Sequence, residues 1–468
     1  MIETDTIAAV STAPGEGGIG IVRVSGDKAA EILAKIFAAP SEGRPGGTVF
    51  ADKNMYYGHI LEPASNETVD EALVVFMKEP KSYTGEDVCE IQCHGGGVPL
   101  RRVLDIVCGL GAVPAQPGEF TKRAFLNGRL DLAEAGAVID LIKSKTRQGY
   151  IAAKEQVEGK LSERIRAARE LLLGTLAGLA ASIDYPEYDG EEQKLGEELN
   201  LAEKEILELL KGAEAGRIVR DGMRVVIIGK PNTGKSSLFN ALAREDAAIV
   251  TQAPGTTRDA IEVWLDVKGV PVLLSDTAGI REGGDEIETL GIGRAKEQYL
   301  KADASIFLLD SSEALAEEDM AIAKMLDPEK KLILAINKSD LPKAFTKEEL
   351  AETLPFDFDE KEMITTSLIN DESIKEAVSI IEEKLRDFVF EGVSQGASLL
   401  VTKARHKALL EKAALEIGEA RDAETKGEAP EFIEVNIRAA WTSLGEITGE
   451  TATEDIIDRV FEEFCIGK

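Results

Sequence analysis

Between residues 1 and about 122 the apolar positions come in short β-branched runs, such as Ile19-Gly20-Ile21-Val22-Arg23-Val24 and Ala72-Leu73-Val74-Val75-Phe76, parted by glycine and proline turns. Runs of that length bounded by turn residues predict strands, and this part reads as an α+β domain. From 125 to about 215 the period lengthens. Leu161-Ser162-Glu163-Arg164-Ile165-Arg166-Ala167-Ala168-Arg169-Glu170-Leu171-Leu172-Leu173 returns its apolar residues at helical spacing, and a loop at 184–190 interrupts the pattern. From about 221 to 388 strands and helices alternate as in an α/β domain, and 401–424 and 433–444 are helical again. The economical arrangement is a bundle built from both flanks, with the α/β domain inserted into it. The expected domains are therefore an N-terminal domain over 1–122, a helical domain over 123–220 and 389–468, and the inserted domain over 221–388.

Length agrees with several domains, since 468 residues exceed the about 250 to 300 that a single core usually reaches. Charge narrows the partners. Fifty-four Lys and Arg against 85 Asp and Glu give a net charge of −31, which repels polyanions at long range and argues against a generic nucleic-acid binder. The four cysteines, Cys89, Cys93, Cys108 and Cys465, are too scattered for a disulfide framework and suggest a reducing compartment. The first residues are acidic and no run of about 18 apolar residues occurs, so the expectation is a cytoplasmic protein without a membrane span.

The chemistry begins where Val225-Val226-Ile227-Ile228 breaks into Gly229-Lys230-Pro231-Asn232-Thr233-Gly234-Lys235-Ser236-Ser237 and resumes as Leu238-Phe239-Asn240-Ala241-Leu242. Strand, G-x-x-x-x-G-K-S and helix in that order make a phosphate-binding loop. Gly229 and Gly234 let the backbone N–H groups turn inward, Lys235 reaches distal phosphates, and Ser236 can ligand Mg²⁺. Further on, Asp276-Thr277-Ala278-Gly279 ends a strand as D-x-x-G, with Asp276 able to hold Mg²⁺ through water and the Gly279 N–H able to sense the γ-phosphate. Asn337-Lys338-Ser339-Asp340 ends another strand as N-K-x-D, and a carboxylate at Asp340 can accept the paired N–H donors of guanine, which adenine lacks. GTP is thus the expected nucleotide.

Ser367 and Leu368 stand where such domains place a Ser-Ala base-contacting loop, with leucine departing from alanine. Between the phosphate loop and D-x-x-G lies Thr251-Gln252-Ala253-Pro254-Gly255-Thr256-Thr257-Arg258-Asp259, whose threonine can complete a Mg²⁺ shell. Ile280 replaces the glutamine that orients water in Ras-like enzymes, so hydrolysis needs other electrostatic help. Asn232 could hold a monovalent cation near the phosphates or simply bond its own backbone. A K⁺ there would act as an arginine finger does, which is worth on the order of 10³ to 10⁵ in rate.

In the N-terminal part, 83–96 and 116–131 set polar groups beside glycines, which suits either a small-molecule site or turn chemistry. Cys89, Cys93 and His94 lack a fourth zinc ligand, and strand alternation would bury both cysteines on one face.

With its Gly85-Glu86-Asp87-Val88, His94-Gly95-Gly96, Gly255-Thr256-Thr257-Arg258-Asp259 and terminal Cys465-Ile466-Gly467-Lys468, the chain resembles the MnmE (TrmE) family of tRNA-modification GTPases along essentially its whole length. The resemblance implies a homodimer whose N-terminal domain binds 5-formyltetrahydrofolate through Arg23, Glu90, Arg129 and Lys468. It also implies K⁺ held by Asn232, Thr251, Ala253 and Thr256, Mg²⁺ held by Ser236 and Thr257, and a water-orienting glutamate at Glu288. GTP contacts would come from Asn232, Thr233, Gly234, Lys235, Ser236, Ser237, the stretch from Thr251 through Gln252, Ala253, Pro254, Gly255 and Thr256 to Thr257, then Asp276, Thr277, Ala278, Gly279, Asn337, Lys338, Asp340, Ser367 and Leu368. The implied activity is K⁺-dependent GTP hydrolysis that, with an MnmG-like FAD protein, adds a carboxymethylaminomethyl-type group at carbon 5 of the wobble uridine of certain tRNAs. Cys465, beside Lys468, is either a small apolar plug or a nucleophile or general acid in that modification. A regulatory GTPase switch in ribosome assembly, without covalent chemistry, is the rival reading; it has no use for Arg23, Glu90 and Lys468.

Overall fold

The computed structural model describes residues 5–41, 44–184, 192–244, 262–276, 296–358, 361, 363–391, 393 and 399–468, with the backbone alone for 192–195 and 276. Two compact units share the chain: 1–139 with 156–173 and 438–468, and 140–155 with 174–437.

In the first unit, β1 (Ile7–Val10), β2 (Gly17–Ser25), β3 (Phe37–Ala38), β4 (Met55–Leu61), β5 (Thr68–Met77), β6 (Val88–Gly95) and β7 (Val113–Pro114) form a sheet in the order β3-β4-β5-β6-β2-β1-β7. Neighbours run antiparallel except β1 and β7. Alternation decides the two faces. Val22, Val24, Val74, Phe76, Cys89, Ile91 and Cys93 pack in one core cluster with Ile32, Leu33 and Val103 from the helices Ala29–Ile36 and Gly97–Gly109. The residues between them, Arg23 and Glu90, pair directly across β2 and β6 on the opposite face. Burial pushes the Cys89 thiol up, and lifts that of Cys93 to about 11, while His94 is exposed and shares a 2.7 Å hydrogen bond with Asp70. Among the described residues no cluster of His, Cys, Asp and Glu is suited to a metal ion. The cysteines are core residues, as alternation requires.

Helical segments complete this unit. Leu132, Ala135 and Ile139 bury one face against Phe461 and Phe464, and the Phe461 ring lies 5.5 Å from Phe464 and 6.3 Å from Phe125. Two glycines allow the C-terminal residues to lie this close. A Cβ on Gly118 would stand 2.7 Å from the Phe461 carbonyl oxygen, and one on Gly467 would stand 2.3 Å from that of Val10; both glycines have positive φ. The short helix Glu454–Glu462 thereby sets the tail against β1.

In the second unit, β8 (Met223–Ile228), β9 (Glu262–Val267), β10 (Val270–Asp276), β11 (Ala304–Asp310), β12 (Lys331–Asn337) and β13 (Met363–Thr365) are ordered β13-β12-β11-β8-β10-β9, parallel except for β9. Both faces are covered. Val225 and Ile227 enter one core cluster with Ile306 and Leu308, and Val226 and Ile228 enter another with Phe307 and Leu309. An uninterrupted apolar run is what a strand buried on both sides needs. Helices from either flank of this sheet, Glu192–Lys211 and Ala404–Thr425, pack together, which makes the helical layer discontinuous in sequence. Multidomain α/β and α+β architecture with an inserted P-loop domain is therefore the fold. No helix among the described residues is long and apolar enough to cross a membrane.

Replacing the 2 % exposed Phe461 by alanine should lower the stability of the transition that unfolds the first unit by about 3–5 kcal/mol in urea titration. A loss below about 1 kcal/mol would mean that this ring does not hold the tail.

Candidate functional sites

The phosphate loop lies within the second unit, at the carboxyl end of β8, where the strand order reverses between β10 and β11. Its backbone is forced by two glycines. Gly229 has φ +154°, and a Cβ there would meet the Leu308 carbonyl oxygen at 2.4 Å; Gly234 has φ +105°, and a Cβ there would lie 2.4 Å from the Asn337 side-chain nitrogen. Asn232 also turns to positive φ, at 63°, with its residue exposed. Thr233 is fully buried and its hydroxyl donates to the Lys230 carbonyl at 3.0 Å. Lys235 opens the helix Lys235–Leu242 and lays its ammonium over the loop, donating to the carbonyls of Gly229 at 2.9 Å and Lys230 at 2.8 Å. Ser236 and Ser237 are exposed in the first helical turn. A cradle of positive-φ backbone, a helix N-terminus and a lysine over its mouth together suit a polyphosphate.

The N-K-x-D motif, Asn337 to Asp340, is tied into this loop. Asn337 ends β12, is 2 % exposed, and donates from its amide to the Thr233 carbonyl at 2.7 Å; its side-chain oxygen is buried without a hydrogen-bond partner. Lys338 has φ +60° and Asp340 is exposed, its carboxylate accepting from the Ser367 hydroxyl at 2.6 Å. The Ser339 N–H donates to the Thr366 carbonyl at 3.1 Å, so the 339–340 and 366–367 stretches form one surface. Leu368 packs against the sheet core, and its Cδ1 would lie 3.6 Å from a Cβ on Gly234. The departure from alanine is thus taken up by packing beside the loop.

Thr251, Gln252, Ala253, Pro254, Gly255, Thr256, Thr257, Thr277, Ala278, Gly279 and Glu288 lie outside the described residues, and Asp276 is described by its backbone only. Of the residues expected to hold Mg²⁺, Ser236 is thereby described and Thr257 is not; of those expected to hold K⁺, only Asn232 is described. Sequence motifs also missed a participant. Asp310, at the end of the fully buried β11, sits 2.5 Å from the Lys338 ammonium, and the Lys230 ammonium lies 3.0 Å from Glu313 and 3.2 Å from Asp319. An acid closing the apolar run Ile306-Phe307-Leu308-Leu309 was the available signal.

The first unit carries a second cluster. The Arg23 guanidinium bonds Glu90 through Nε at 2.9 Å and Nη2 at 2.8 Å, reaches the Gly467 carbonyl at 3.4 Å, and lies 5.4 Å and 5.6 Å from the ring centres of Tyr83 and Phe120. Lys468 joins it: burial first, then the Arg23 charge, lower its ammonium from the ordinary lysine value against the opposing pull of Glu90 and Cys465. Arg129 bonds the Ser82 carbonyl, next to the Tyr83 whose ring stands by Arg23. Cys465 is exposed. Cations, aromatic rings and a carboxylate thus converge around Arg23, Glu90 and Lys468, while Arg129 is tied to the Ser82 carbonyl.

The family model described as MnmE helical domain matches residues 132–465, and that described as GTP-binding protein TrmE N-terminus matches residues 6–129. Proteins named tRNA modification GTPase MnmE align over 100 % of this chain and of their own: 47 % identical from Alkaliphilus oremlandii (strain OhILAs), 45 % from Alkaliphilus metalliredigens (strain QYMF) and 44 % from Geobacillus kaustophilus (strain HTA426). Similarity of that extent, in a chain whose phosphate loop and N-K-x-D motif meet at Asn337, makes it a member of the MnmE (TrmE) family of tRNA modification GTPases, enzymes that hydrolyse GTP in the course of tRNA modification.

Proposed function

We propose that this GTP hydrolase acts as a K⁺-dependent homodimer and, with an MnmG-like FAD protein, installs a carboxymethylaminomethyl-type group at carbon 5 of the wobble uridine of certain tRNAs. The observation that carries the reading beyond GTP hydrolysis is the docking of Gly467 and Lys468 against the Arg23–Glu90 pair, with Cys465 exposed beside them. A ribosome-assembly switch without covalent chemistry would have no use for that cluster. In this reading 5-formyltetrahydrofolate, when bound, supplies the one-carbon unit. Arg129 and Lys468 would meet its carboxylates, Tyr83 and Phe120 would flank its ring, and Glu90 would accept from ring N–H groups. The domain scheme that goes with it is an N-terminal folate and dimerisation domain over 1–122, a G domain over 221–388, and a helical domain over 123–220 and 389–468.

At the nucleotide, Lys235 would bind the distal phosphates and Ser236, with Thr257, would hold Mg²⁺, which neutralises charge on the phosphoryl oxygens. Asn232 would hold K⁺ with Thr251, Ala253 and Thr256, and Glu288 would orient the water. Support for the cation comes from Asn232 itself, an exposed amide on a left-handed turn of the phosphate loop. The strongly acidic chain, with its net charge of −31, would leave most tRNA phosphate contacts to the flavoprotein, in a cytoplasmic complex.

Substituting Cys465→Ser in a deletion strain complemented with this chain should remove the modified wobble uridine, as read by nucleoside mass spectrometry, while GTP turnover of the purified variant stays near wild type. Normal nucleoside levels in that strain would return the thiol to a packing role. Asp340→Asn should shift preference from GTP to xanthosine triphosphate by about two orders of magnitude or more in a competition assay, because the amide donates where the carboxylate accepts; an unchanged preference would contradict the base-reading role. Replacing Na⁺ with K⁺ at constant ionic strength should raise wild-type GTP turnover about tenfold or more, and Asn232→Ala should remove the difference. Equal rates in both salts would exclude the K⁺ site.

A further inference from the structure

The segment that follows β11 belongs to none of the nucleotide motifs, yet its side chains reach both the base-reading motif and the phosphate loop. Every residue of β11 is buried, and the strand ends in an acid, Asp310, that is itself 4 % exposed. A carboxylate buried to that degree is tolerated when it is paired and its lone pairs are used. Here one oxygen accepts from the Ser312 N–H at 2.9 Å and its hydroxyl at 2.6 Å, while the other faces the Lys338 ammonium at 2.5 Å. Burial works against the charged form, but the bonds from Lys338 and Ser312 outweigh it and hold the carboxyl below its ordinary range. Ser311 adds two more ties: its N–H donates to the Asn337 carbonyl at 3.0 Å and its hydroxyl to that of Lys338, also at 3.0 Å. These bonds fasten a lysine at φ +60°, in the left-handed region that few non-glycine residues adopt.

The far end of the same segment grips the other motif. Lys230 of the phosphate loop, about nine-tenths buried, lies between Glu313 and Asp319; burial opposes its charge, and the two carboxylates more than restore it. Asp319, 1 % exposed, also accepts from the Ala316 N–H at 3.0 Å and so closes the first turn of the helix Glu317–Met325. With its side chain pinned, Lys230 presents its carbonyl to Lys235 and Thr233.

We propose that the 310–319 segment is a positioning element for guanine nucleotide, in which Asp310 acts through Lys338 on the base-reading motif and the Glu313–Asp319 pair acts through Lys230 on the phosphate loop. The proposal rests on the guanine-nucleotide reading of the site. None of these carboxylates touches nucleotide in this scheme. They fix the shape of two motifs in advance, and a site already ordered spends less of its binding free energy on ordering itself. The signature of such a role is affinity lost through a specific lysine.

A double-mutant cycle on the full chain, read as the dissociation constant of fluorescent methylanthraniloyl-GDP, tests it. Asp310→Asn should weaken binding about tenfold in the wild-type background and by less than about twofold when Lys338→Met is already present. Equal weakening in both backgrounds would show that Asp310 acts on the fold at large and would overturn the proposal. Should Asp310→Asn fold poorly, Ser311→Ala, which removes the hydroxyl held on the Lys338 carbonyl, should still weaken binding by about threefold, and an unchanged constant would likewise overturn it. At the loop end, Asp319→Asn should weaken binding in wild type and add less than about twofold to Lys230→Met, with equal effects again counting against the scheme. Failure of the wild-type chain to bind the GDP probe would instead sink the guanine-nucleotide reading itself.

Discussion

The amide of Asn337 donates to the carbonyl of Thr233, a residue 104 positions earlier, across a gap that only a glycine at 234 leaves open. The joining of the phosphate loop to the N-K-x-D stretch rests on that bond. The strands that carry the two motifs are not neighbours: β11 lies between β8 and β12, so their loops must meet over its end. What stands at that end is therefore constrained. A residue there has to fill space and satisfy backbone groups of the N-K-x-D stretch, and Asp310 and Ser311 do so with bonds to Ser312, Lys338 and the Asn337 carbonyl.

Much of this was legible from residue order because its causes are local. The apolar run at 225–228 is continuous because that strand is covered on both faces, and the alternation around Val22 and Val24 leaves Arg23 outward because one face of its sheet meets helices. Other features depend on contacts between distant parts. Nothing near Asp310 in sequence announces Lys338, and the helix Glu454–Glu462, only 9 residues long, has an apolar face whose purpose appears with Leu132 and Phe125 beside it. The run 161–173 returns its apolar residues at helical spacing, yet the charged Arg169 within it is 5 % exposed, lies 4.1 Å from the ring centre of Trp441 and pairs with Glu450. Burial of a charge of this kind is a tertiary fact, invisible to periodicity.

Charge shows the same separation of scales. A net charge of −31 describes how the whole molecule meets a distant polyanion. Within each unit, however, cations gather locally: Lys230, Lys235 and Lys338 around the phosphate loop and the stretch that follows β12, and Arg23 and Lys468 at the C-terminal residues. Several are already neutralised by acids, so the sites are polar scaffolds of fixed geometry rather than broad basic surfaces.

The first unit is woven from both ends of the chain: the Arg23 side chain reaches a carbonyl 444 positions away, and Phe461 covers Leu132. During synthesis the helix that carries Leu132, Ala135 and Ile139 must wait for roughly three hundred further residues before that cover exists. At about 5–20 residues per second the wait is on the order of tens of seconds, during which the apolar face is open to incorrect partners. The unit of 140–155 and 174–437 has nearly all its sequence in hand well before that moment. Placing one domain inside another thus imposes a timetable on the ribosome's product, in which the inserted part can condense first and the fate of a bare helix depends on how quickly translation finishes.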